Sequence, residues 1–150
     1  MNTRLIGFAS AIVLLAACAP KGPTMAPSTQ SFTRSVNAVP AKVVEAATAV
    51  FAARQIPVAS ADQTDGKVQS VPLAPNGEWG NVPADQRVDC GAVTAADSNA
   101  RLVLTVHVKQ ENNRSALSLD AKRDGGQSCV LKGPFMTDLL DEIVAKSGAA

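Results

Sequence analysis

The chain predicts an α+β fold, a single antiparallel sheet with two main helices packed on one face, and three features carry that expectation. Two segments alternate: Leu102, Leu104, Val106 and Val108 against Val103, Thr105, His107 and Lys109, then Leu117, Leu119 and Ala121 against Ala116, Ser118, Asp120 and Lys122. Glu111-Asn112-Asn113 is the polar connector between them, so the pair reads as a β-hairpin with one packed and one wet face. Two further segments place apolar residues at helical spacing, Val43 to Phe51 and Phe135 to Val144, with charged residues largely opposite.

The chain begins differently. Arg4 precedes an apolar run from Leu5 to Ala17 that ends in Leu15-Ala16-Ala17-Cys18. A basic start, an apolar centre and a small-residue exit are the layout of a secretory signal. The run holds 13 residues, too few for a membrane-spanning helix, which needs about 20. The tetrapeptide resembles the bacterial lipobox, and that resemblance implies cleavage before Cys18 and acylation, palmitate included, of the new terminus. Residues 1–17 are then a lipoprotein signal peptide, and Cys18 holds the protein to a membrane through acyl chains. Two or more chains make such attachment stable. With Ala19 after the cysteine and no Asp, the resemblance further implies the outer membrane, with the domain facing the periplasm.

Pro20, Gly22, Pro23, Pro27, Ser28 and Thr29 give residues 18–31 the composition of a flexible tether. One domain is expected over 32–148. After residue 17 the chain keeps 13 acidic residues and 13 of its 14 basic ones, a formal charge of zero. That balance argues against nucleic acid, which requires a basic face, and leaves no polybasic run for lipid headgroups.

Within the domain, Phe32 to Val36 alternate as a short strand, and Pro40 suits the first turn of a helix. Asn37 is the nearest N-cap candidate. Ile56-Pro57 ends that helix and extends the chain. Asp62 to Gly66 read as a turn, Lys67 to Val71 as a strand, and Pro72 to Asp85 as a loop rich in Pro, Asn and Gly. Trp79, the only tryptophan, falls in that loop. It is a contact-site candidate if exposed, and a lid over an aromatic-poor core if it folds back. Arg87 to Gly91 make a second short strand, and Ser128 to Leu131 a brief extended segment. Gly133-Pro134 start the closing helix, whose acidic residues come early and Lys146 late, matching the helix dipole.

Apart from Cys18, the cysteines are Cys90 and Cys129. In an oxidising compartment they most simply pair with each other. Closing a loop of that length stabilises the fold by about 4 kcal/mol in the chain-entropy model. His107 is the only histidine, and with two thiols it makes no recognised metal spacing. No G-x-S-x-G, H-E-x-x-H or glycine-rich phosphate loop occurs. No catalytic, cofactor-binding or metal-binding residue is therefore assigned, and the chain reads as not an enzyme.

The run Ser35-Val36-Asn37-Ala38-Val39-Pro40-Ala41-Lys42-Val43-Val44-Glu45-Ala46-Ala47, then Gln55-Ile56 and Asp65-Gly66-Lys67-Val68, resembles helix-grip envelope lipoprotein domains. Those of the C subunit of the β-barrel assembly machinery are the familiar case. Val44 stands where that helix commonly carries an aromatic, and Trp79, Asp89-Cys90-Gly91 and Cys129 set this chain apart as a disulfide-bearing subgroup. The resemblance implies a non-catalytic periplasmic scaffold or assembly module with an envelope protein partner. The alternative is a module binding a lipid, glycan or peptide in a groove between helix and sheet. That alternative requires a cavity lined by residues such as Leu104, Val106, Leu119, Leu139 and Ile143.

Overall fold

The computed structural model describes residues 29–96, 98–125 and 129–148. The signal segment, Cys18 and tether residues up to 28 lie outside the described residues. In chain order the elements are β1 (Thr29–Val36), α1 (Pro40–Ala53), β2 (Val58–Asp62), β3 (Lys67–Ser70), α2 (Ala84–Arg87), β4 (Val88–Asp89), β5 (Arg101–Glu111), β6 (Arg114–Asp124), β7 (Val130–Leu131) and α3 (Gly133–Lys146). Five strands form one antiparallel sheet in the order β1-β6-β5-β3-β2. The architecture is the α+β, helix-grip-like one expected.

The β5–β6 hairpin runs in unbroken register from Arg101 opposite Asp124 to Glu111 opposite Arg114. Its inner face buries Leu102, Leu104, Val106 and Val108 against Ser115, Leu117, Leu119 and Ala121. On that face lie Val43, Val44, Ala46, Ala47, Val50 and Phe51 of α1 and Phe135, Met136, Leu139, Leu140 and Ile143 of α3. These residues join one continuous core. Two buried hydroxyls there are satisfied: that of Ser70 accepts from the Leu104 N–H at 3.0 Å and donates to the Val71 carbonyl, and that of Ser115 donates to the Ala38 carbonyl at 2.7 Å. Gly66 is required where the chain turns into β3. Its φ is +61°, and a Cβ would sit 2.2 Å from the Val108 carbonyl oxygen.

The structure corrects several local expectations. Strand β1 begins at Thr29, so Thr29, Gln30 and Ser31 belong to the sheet and not to the tether expected through residue 31. Thr29 stands opposite Lys122. The Gln30 side-chain amide both donates to the Leu131 carbonyl at 3.0 Å and accepts from its N–H at 2.9 Å. A polar side chain bonded at both its amide nitrogen and its oxygen orders a segment that composition marks as linker. Helix α1 is capped by Val39, not Asn37, with no side-chain cap bond and with Pro40 in the first turn. The single sheet has a satellite: β4 and β7 pair as a separate two-stranded ribbon, Val88 opposite Leu131 and Asp89 opposite Val130. One residue beyond that pairing, Cys90 is bonded to Cys129. The expected disulfide therefore staples the ribbon. The segment expected to be loop as far as Asp85 and strand from Arg87 instead turns through α2, and β4 begins at Val88.

Candidate functional site

Helix α1 ends with its last carbonyls unpaired, as every helix does. Its C-terminus closes in a two-bond turn, the Ile56 N–H donating to Phe51 at 2.8 Å and the Gln55 N–H to Ala52 at 3.1 Å. Gln55 takes φ 54° in the left-handed position where glycine is usual. The remaining carbonyls are met by the loop between Leu73 and Pro83. The Gly80 N–H donates to Arg54 at 2.5 Å, and the Asn81 amide donates to Ala53 at 2.6 Å. The loop is thus the cap of α1.

Several further contacts hold that loop. Leu73 exchanges both backbone hydrogen bonds with Leu102 of β5. Arg54 is doubly bonded to Glu142 of α3 and also donates to the Gly80 carbonyl at 3.1 Å. The hydrogen bonding with Glu142 raises the pKa of Arg54 above its ordinary value. Trp79 donates from its indole N–H to Ala74 at 2.7 Å and meets Phe135 edge-on, ring centres 5.9 Å apart. Gly80, at φ +81°, lies against the same ring, so a Cβ there would stand 3.0 Å from Phe135.

Arg87 is at the centre. It is only 2% exposed and lies 4.2 Å over the Trp79 ring. Its guanidinium donates to the carbonyls of Trp79 (2.5 Å), Val82 (2.6 Å), Pro75 (3.2 Å) and Gly77. No carboxylate pairs with it among the described residues. Its charge is balanced by carbonyl dipoles and by the indole face, and desolvation lowers its pKa. Of the loop's prolines, which have no N–H to donate, Pro75 gives its carbonyl to Arg87.

The loop and the end of α1 enclose a cleft of about 430 Å³. Trp79, Val82 and Arg87 line it together with Gln55, Asn76, Glu78 and Asn81, whose side chains are exposed. Among the described residues, the side chains of Gln55, Asn76 and Glu78 carry no hydrogen bond or ion pair. The cleft therefore offers amide donors and acceptors and one carboxylate on a rigid frame. Such groups suit hydrogen bonding to a partner.

Placement of the expected residues is mixed. Cys90 and Cys129 are joined. Of the two readings of Trp79, the structure has the one in which it folds back over the core, where it is 4% exposed. Its indole is consumed by Ala74, Phe135 and Arg87. The residues named for a helix–sheet groove are buried. Leu104, Val106, Leu119, Leu139 and Ile143 all lie in the continuous core, and none lines any of the five clefts described. His107 sits on the outer sheet face, its Nε2 at 3.6 Å from an Asp120 carboxylate oxygen. Among the described residues no three His, Cys, Asp or Glu side chains gather as a metal site. The residue that sequence reasoning missed is Arg87, read only as the start of a strand. Its acceptors come from an aperiodic loop, so no spacing in the sequence singled it out.

No protein-family model and no curated protein matches the chain. Among solved structures it is similar to TTHA0849 from Thermus thermophilus, at 14% identity and TM-score 0.37 over 81% of this chain and 97% of that one. It is also similar to Ara h 8.0201, at 12% identity and TM-score 0.36 over 80% of this chain and 95% of the other. Both likenesses are too slight to bring a function to this chain.

Proposed function

We propose that this chain is a non-catalytic, lipid-anchored envelope protein whose domain acts as a periplasmic scaffold or interaction module. The observation that carries the reading is the pairing of Cys90 with Cys129. A structural disulfide belongs to an oxidising compartment, and this one leaves Cys18 as the only cysteine outside the domain's own chemistry. Cys18 then stands at the end of a signal-like apolar run with the spacing of a lipobox. The filled core supports interaction through the surface, and the cleft bounded by Gln55, Asn76, Glu78 and Asn81 is the contact surface we assign to an envelope protein partner.

The test is cellular. Wild-type protein is expected to take up labelled palmitate and to fractionate with the outer membrane. The Cys18→Ser chain is expected to lose the label and either to leave the membrane or to remain uncleaved. Unchanged labelling and fractionation of that variant would reject the anchor.

A further inference from the structure

A guanidinium carries five N–H donors, and the 72–83 loop meets four of those of Arg87. Nη1 donates to the Trp79 and Val82 carbonyls, and Nη2 to those of Pro75 and Gly77. The fifth donor, Nε, is buried and has no hydrogen-bond partner. In the planar fork the Nε–H lies along the same edge as Nη2, so it is turned toward the 75–77 stretch. Asn76 and Gly77 of that stretch, with Arg87 itself, belong to the wall of the cleft of about 430 Å³.

The charge is unmet as well as the donor. Arg87 is 2% exposed, yet among the described residues it has no ion pair. A buried charge is ordinarily paired with an opposite one, and carbonyl dipoles with an indole face compensate it only in part. Glu78, the one acid lining the cleft, is exposed and pairs with no cation among the described residues. Gln55 and Asn76 are exposed in the same wall, and their free amide groups can turn to admit an acceptor. One unmet donor, one positive charge and amide donors beside them suit a carboxylate: one oxygen takes the Nε–H and the other an amide N–H. A sugar fits less well, because Arg87 already covers the Trp79 ring at 4.2 Å. A phosphate would carry more negative charge past Glu78.

We propose that the cleft is a carboxylate-binding site, in which Arg87 Nε donates to a carboxylate borne by a partner chain, at its C-terminus or on an acidic side chain. The proposal rests on the reading of this cleft as the partner's contact surface and names the group recognised there. Binding gives Arg87 the counter-charge it lacks, and so tightens the same cage that caps α1. Glu78 opposes the incoming charge and holds the affinity down.

The experiment is titration of the full chain in neutral detergent, read by the emission of Trp79, the only tryptophan, whose ring Arg87 overlies. The probes are acetylated triglycine with a free terminal carboxylate, the same peptide amidated, and an amidated peptide with a central glutamate. A saturable change in emission is expected with the free terminus or with the glutamate, which tells the two sources apart, and none with amidated triglycine. Because Arg87 also holds the loop, the variant is placed at exposed Glu78. Glu78→Gln is expected to tighten carboxylate binding about threefold. An equal response to amidated triglycine, no response to either carboxylate, or weaker binding by Glu78→Gln overturns the site. Contact with a partner is read separately in cells, by a photo-crosslinking amino acid in place of Gln55. A cross-link there without a carboxylate response overturns the carboxylate site and leaves the contact surface intact. No cross-link overturns the contact surface, and the proposal with it.

Discussion

The hairpin-and-helix half of the domain and the half built on the 72–90 loop and the β4–β7 ribbon are ordered by different contacts. In the first, period-two and period-3.6 apolar patterns face each other across one layer, and burial of Leu104, Leu119, Phe51 and Leu140 supplies the stability. In the second there is little repeat to bury. Order comes from one caged arginine, one disulfide and the unpaired carbonyls of a helix end. A periodic core tolerates change at many positions, whereas a loop hung on Arg87 depends on single residues.

Substitutions can break that contrast, beginning with the largest expected effect. Leu104→Asp places a charge on the fully buried face of β5. It is expected to cost roughly 4 kcal/mol or more and to abolish cooperative thermal unfolding. An unchanged melting curve would mean that the sheet half is not held by this core.

Replacing Cys90 and Cys129 together by Ser opens a loop of sequence separation 39. The expected loss is about 4 kcal/mol in the chain-entropy model, read as an earlier denaturant midpoint. Intact non-reduced protein should yield the Cys90–Cys129 cross-linked peptide. Two free thiols in exported protein would remove the staple.

Arg87→Met keeps the bulk of the side chain and removes its donors, leaving four carbonyls unmet. A loss of about 3 kcal/mol is expected, and it should be local. Trp79 is the only tryptophan, so its emission reports the loop alone. Its spectrum should shift to the red while far-ultraviolet circular dichroism stays native. A native emission spectrum would contradict the caging role.

Glu142→Gln is the mildest test. It weakens a pair whose carboxylate side is 42% exposed, and such a pair contributes about 0.5–1 kcal/mol. Faster amide exchange at Gly80 with an unchanged core would sharpen the distinction between the halves.

Legibility followed the same division. The inner residues of β5 and β6 and both long helices could be read from spacing, because periodic burial leaves a periodic trace. The pairing of Cys90 with Cys129 was legible by count. The start of β1 at Thr29 was not, because Gln30 is ordered by Leu131, 101 residues away. Nor was the role of Arg87, since the four carbonyls that converge on its guanidinium lie 5 to 12 residues before it in a loop without periodic pattern. The cleft edged by Gln55 and Asn76 joins a helix end to a distant loop and was invisible for the same reason.

The central claim, an envelope domain tethered through Cys18, is tested most directly by the intact mass of the N-terminal peptide from membrane-extracted protein. The expected result is a mature chain beginning at Cys18, carrying diacylglyceryl on sulfur and an acyl group on its amine. A chain still beginning at Met1, or an unmodified Cys18, would contradict it.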